Sequence, residues 1–149
     1  MAFLAWLEAS PVSTWVNQSE SVFAYPAILL VHTIGLTLLV GVSFAVNLRI
    51  AGVAAQVPLA ALRTLTPLMW TGLALSAASG ALLLTAKATT MGVNPAFYVK
   101  MACIVAAVAL IVGRREPNKA VAVLSILLWF GAITAGRFMA YLGEAAQFG

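Results

Sequence analysis

One imidazole, His32, sits inside the run LLVHTIGLTLLVG at 29–41, and it is the only histidine in the 149 residues. Few other groups able to do chemistry lie within apolar sequence: Lys87, Lys100 in NPAFYVKMACIV, and Arg137 in ITAGRFMAYL. Imidazole is an axial ligand for haem iron, and lysine and arginine suit the propionates of haem b or another anionic or redox-active group, a quinone among them. The competing reading of a lone neutral histidine is a hydrogen bond to a facing helix and nothing more. Zinc and copper cages lack ligands, because there is no second histidine, no aspartate and a single cysteine, Cys103. Hydrolytic sites lack a base other than His32, and no G-x-S-x-G elbow is present.

The elements that must position these residues follow from composition. The chain is 63% hydrophobic and 8% charged, whereas a soluble domain has roughly 25% charged residues. Its solvent is therefore mostly the lipid bilayer. Four segments reach the length of about 20 apolar residues that a crossing needs, near 22–48, 65–87, 96–113 and 119–142. The connections RIAGVAAQVPLAALRT, ATTMGVNPA and RREPNK are short, so consecutive helices are expected to be antiparallel neighbours. This reads as one all-α transmembrane domain over 1–149, a four-helix up-and-down bundle, with Pro95 and Pro117 in first helical turns.

Arg49, Arg63, Arg114, Arg115 and Lys119 gather in the first and third loops, and the N-terminal 21 residues carry no lysine or arginine. The positive-inside rule then expects a multi-pass protein of the bacterial inner membrane with both termini periplasmic. Phe3, Trp6, Leu7, Trp15 and Val16, around Pro11, read as a short amphipathic segment in the outer interface. No positive n-region precedes it, so a cleavable signal peptide is not expected. The net charge of +4 forms no basic run, so no nucleic-acid partner is expected.

On this topology His32 lies ten residues into the first helix, about 15 Å deep. Lys100, Arg137 and Lys87 occupy the outer ends of the other three helices, so each helix contributes one ionisable group to the outer half. Ionisable groups in a span are costly unless paired or hydrated. Lys87 and Lys100 can snorkel to the headgroups, and Arg137 can pair with Glu144. The His32 face also carries Tyr25 outward and Gly35, Leu36 and Leu39 inward, and Gly35 allows a flat macrocycle or quinone to approach. Met101, Met139, a deprotonated Lys100 or His32 of a second protomer are the options for a second axial ligand. Small residues at Gly72, Ser76 and Gly80, and at Gly131, Ala132, Ala135 and Gly136, predict close helix packing within the bundle rather than a dimer seam. Cys103 reads as a packing residue.

The stretches SVFAYPAILLVHTIGLTLLVGVSFAVNLRIAG and NPAFYVKMACIVAAVALIVGRR resemble an uncharacterised bacterial family of small four-span inner-membrane proteins, over about residues 13–140. The His-x-x-Gly layout of the first helix and the F-x-x-K opening of the third (Phe97, Lys100) more distantly resemble HemJ-type protoporphyrinogen oxidase, and the latter also copper-resistance D-type membrane proteins. That resemblance implies haem b on His32 and a functional lysine at Lys100. The chain lacks the further histidines and the Trp-rich first helix of that enzyme, so the likeness carries the site and not the reaction.

The expectation is a small membrane subunit that holds haem b or a quinone-like cofactor in its outer half, with His32, Lys100, Arg137, Tyr25 and Gly35 around it. It would serve electron transfer or anchor a redox partner, as a homo-oligomer or within a larger membrane redox complex. The alternative is a structural or assembly subunit whose polar residues pack or hold lipid. A small transporter ranks third, since the inner half offers only Ser43, Asn47, Ser76 and Ser125.

Overall fold

The computed structural model describes residues 2–18, 24–113 and 116–145, and among them every regular element is an α-helix. These are α1 (Ala2–Glu8), α2 (Pro11–Gln18), α3 (Tyr25–Ala51), α4 (Leu59–Arg63), α5 (Thr66–Ala86), α6 (Ala88–Gly92), α7 (Pro95–Gly113) and α8 (Lys119–Ala145). Four spans, with α3, α5, α7 and α8 as their long helices, are long and apolar enough to cross a membrane. The chain is thus an all-α, multi-pass membrane protein. Residues 22, 23, 114 and 115 of the expected first span and third loop lie outside the described residues.

Local chemistry explains the helix ends. α3 starts with Tyr25 and Pro26, where a missing N–H costs nothing, and runs three residues past the expected inner end. It stops at Gly52, whose φ of +109° lets the Val53 N–H return to the Leu48 carbonyl at 2.9 Å, a Schellman stop. Asn94 caps α7, its Oδ1 accepting from Ala96 N at 2.9 Å, and Pro95 opens that helix as expected. Asn118 caps α8 through Ala120 N and Val121 N at 2.9 and 3.2 Å. Pro117 therefore precedes the cap instead of entering the first turn, because the asparagine beside it is the better N-cap.

The chain divides into two compact units, Met1–Leu39 with Pro67–Val93 and Val40–Thr66 with Asn94–Gly149. α3 runs through both. In the first unit, the N-terminal part of α3 lies against α5 at very short range. A Cβ on Gly35 would meet Ser76 Oγ at 2.7 Å and the Gly72 carbonyl at 2.9 Å, and one on Gly72 would meet the Gly35 carbonyl at 2.7 Å. The small residues of α5 are thus spent on packing within the chain, as their spacing predicts. α1 and α2 belong to this unit. Ser10 caps α2 through Ser13 N at 3.3 Å, and Val16 and Ser13 are buried while Phe3, Trp6, Val12 and Trp15 are exposed. Leu4 fills the space beside Gly92. Glu8 accepts from Thr89 N and Thr89 Oγ1 at 3.0 and 2.5 Å, serving as an N-terminal cap that α6 lacks in its own sequence. Those bonds, the hydroxyl's first, hold the Glu8 carboxyl below its ordinary value.

In the second unit α7 and α8 are antiparallel neighbours, with Cys103 Sγ at 3.1 Å from the Cβ position of Gly131 and the Lys100 stem beside Gly136. The small residues of α8 also pack within the chain.

Candidate functional site

The first-unit candidates centre on His32, seven residues from the start of α3 and so about 10 Å from that end of the helix. The ring is half-buried. Nδ1 lies 3.0 Å from the Ser76 carbonyl and 3.1 Å from Ser79 Oγ. A carbonyl only accepts, so in this contact Nδ1 carries a proton. Ser79 supports the same assignment: its hydroxyl donates to the Leu75 carbonyl at 2.5 Å, which leaves Ser79 Oγ to accept from the imidazole. Gly80 completes the seat, for a Cβ there would stand 3.0 Å from His32 Cε1 and 3.4 Å from Nδ1. The Nδ1–Cε1 edge of the ring therefore faces α5.

Tyr25 lies half-buried one heptad outward on α3, and Gly35 is buried one turn inward. The room that Gly35 leaves is not a slot for a flat cofactor. Ser76 and Gly72 fill it, which corrects the expected role of that glycine: it lets two helices meet. Ser76 Oγ is buried there without a hydrogen-bond partner among the described residues. The hydroxyl fits the contact by its size.

Lys100 and Arg137 belong to the second unit. Lys100 is half-buried and Arg137 exposed. A Cβ on Gly136 would lie 3.8–3.9 Å from Lys100 Cδ, Cε and Nζ, so the lysine stem runs along α8 to the residue beside Arg137. The side chain of Glu144, the expected partner of Arg137, lies outside the described residues. Lys87 is exposed at the end of α5.

A second polar constellation was undervalued in the sequence. Asn47 Nδ2 donates to Ser43 Oγ at 3.2 Å and Ser125 Oγ at 3.0 Å, and Trp129 Nε1 donates to Ser43 Oγ at 2.8 Å. All four residues are at most 2% exposed. The signal was present: Ser43 and Asn47 are four apart on α3, and Ser125 and Trp129 four apart on α8, so each pair shares a helix face. This network joins α3 to α8. Among the described residues no cluster of three metal-ligating side chains occurs. The chain matches no family model, no curated protein and no solved structure.

Proposed function

We infer that the protein is a small subunit of a bacterial inner membrane, both termini periplasmic, in which His32 engages a redox-active group: haem b or a quinol. The observation that carries this reading is the hydrogen bond from Nδ1–H to the Ser76 carbonyl. Histidines that ligate metals commonly donate their other ring nitrogen to a backbone carbonyl or carboxylate, which fixes the tautomer and orients the ring. The same tautomer makes Nε2 an acceptor for a quinol hydroxyl. Of the two groups the quinol asks less of the fold, since it needs one acceptor and no flat cradle. When bound, either group supplies electron transfer. The chain's own part is to hold Nε2 basic and oriented, with the reaction partner in another subunit or a second copy of the chain. The topology rests on Arg49, Arg63, Arg114, Arg115 and Lys119 marking the cytoplasmic side; the likeness to HemJ-type proteins supports only the choice of His32 and Lys100 as site residues.

Purified wild-type protein, expressed with haem and quinone available, is expected to carry a Soret band or a co-purifying quinone that His32→Ala removes. Wild-type protein with neither overturns the reading. A second reading is a structural or assembly subunit, favoured by the fact that His32 already links α3 to α5. Its signature is loss of complex assembly in His32→Ala with no chromophore in either protein.

A further inference from the structure

The C-terminal end of α8 and the N-terminal end of α7 carry two cations, Arg137 and Lys100, for which no carboxylate partner occurs among the described side chains. Lys100 lies within a membrane span, where an unpaired ammonium is costly. The register of the pair is set by Cys103 against Gly131. Three residues earlier on α7, Lys100 is therefore level with about residue 134 of the antiparallel α8. Its Cδ, Cε and Nζ nevertheless lie beside Gly136, so the side chain leans outward along α8 and brings the ammonium next to the residue that bears the Arg137 guanidinium. Gly136 makes this path available, because a larger side chain there would occupy the groove in which the stem runs. The described carboxylate of this unit is Glu116, which lies in the turn at the other end of the pair, about 20 Å along α7 from Lys100. Lys100 thus leans toward the end of α8 that bears the exposed Arg137, with no acid beside it among the described side chains.

Their surroundings are those of a bilayer boundary. Tyr98 and Tyr141 are 58% and 68% exposed, and the apolar Phe138 and Val99 beside them are 59% and 53% exposed. Tyrosines with an apolar body and a polar tip settle at headgroup level, and apolar side chains next to them lie against acyl chains. An anion reaching Lys100 and Arg137 must therefore be compatible with hydrocarbon on one side. A phospholipid meets that condition, with its phosphate between the cations and its chains along Val99 and Phe138.

We propose that Lys100 and Arg137 form a binding site for the phosphate of an anionic phospholipid at the outer end of the α7–α8 pair. The site is independent of what His32 binds. A basic side chain near a membrane surface favours anionic lipid by about fivefold. The test is native mass spectrometry of the full chain released from nanodiscs of mixed phosphatidylglycerol and phosphatidylethanolamine. Wild type is expected to retain phosphatidylglycerol in excess of its bulk fraction. Lys100→Met and Arg137→Gln each lower that excess about fivefold, the value for one cation. Lys100→Arg restores it, and Arg63→Gln, a cation of α4, leaves it unchanged. Circular dichroism melts of the same proteins separate lost binding from lost folding. Retention at the bulk fraction in the wild type, or unchanged retention in folded Lys100→Met and Arg137→Gln, overturns the proposal. Release of the bound lipid by millimolar inorganic phosphate also overturns it, since the site would then be one for a soluble anion.

Discussion

Replacing Gly35 with alanine tests how closely α3 and α5 approach. The added Cβ would stand 2.7 Å from Ser76 Oγ, 2.8 Å from Ser76 N and 2.9 Å from the Gly72 carbonyl. Two of these three are backbone atoms, so no rotamer change relieves them. Restoring an ordinary contact of 3.4 Å requires α5 to retreat by about 0.7 Å. That same retreat stretches the 3.0 Å contact between His32 Nδ1 and the Ser76 carbonyl to about 3.7 Å, beyond hydrogen-bond range. Overpacking of this kind costs about 1–3 kcal/mol, and an interhelical hydrogen bond in a membrane adds about 0.6 kcal/mol. At about 2–4 °C per kcal/mol for a chain of this size, the melting temperature should fall by roughly 3–14 °C. Gly41→Ala is the internal control on the same helix, because nothing lies within 4 Å of a Cβ there. Alanine is the better helix former by about 1 kcal/mol, so that variant should melt at or above wild type. The assay is thermal unfolding by circular dichroism in one detergent. If Gly35→Ala melts with wild type, or Gly41→Ala falls as far, the close-approach argument is wrong.

Gly80→Ala places a methyl 3.0 Å from His32 Cε1, so the ring must shift while the fold survives; nitrogen chemical shifts of the imidazole should report an Nδ1–H tautomer in wild type and a changed environment in the variant. Asn47→Ala removes the donor shared by Ser43 and Ser125 and is expected to cost about 1–3 kcal/mol, against about 1 kcal/mol for Trp129→Phe, which deletes one bond; equal melting of both variants with wild type would discredit the network. The Glu8 carboxyl is held below its ordinary value of 4.5 by Thr89, so the folded state favours its charged form. Its contribution is complete above pH 4.5 and is lost as the pH falls through the lowered value. The protection factor of the Thr89 amide, its exchange relative to the intrinsic rate at each pH, should therefore fall on acidification, and Glu8→Gln should show low protection at neutral pH; a pH-independent protection factor in wild type counts against the cap.

The four spans were legible because each is an uninterrupted apolar run, and the seam on α5 was legible from Gly72, Ser76 and Gly80 at four-residue spacing. The partners of His32 were not legible. In a soluble helix the apolar stripe marks the buried face, but in lipid both faces are apolar and the stripe says little. Many buried positions are small or polar, such as Ser43, Asn47, Ser76, Ser79, Ser125, Ala107 and Ala122, whereas Val105, Val112 and Leu127 are 67%, 69% and 60% exposed, so apolarity alone does not mark the packed face. Ser79 is one hydroxyl among many, and only the register of α3 against α5 selects it. The lysine path along α8 is equally a matter of register, set by Gly131 and Gly136.

The two polar constellations on α3 differ in a way that bears on what each is for. Around Asn47 the polar atoms are satisfied by side chains from α3 and α8, and the residues are sealed from their surroundings. A network like that specifies which helices pair and at what register. At His32 the chain instead spends a backbone carbonyl, a serine hydroxyl and a glycine on orienting one edge of a half-buried ring. Packing alone does not need an ionisable side chain, because a serine or asparagine joins helices at less cost, as the Asn47 network does. A histidine seated in this way controls which of its nitrogens keeps the lone pair. Control of that kind is what ligation or proton acceptance requires and what a purely structural contact does not.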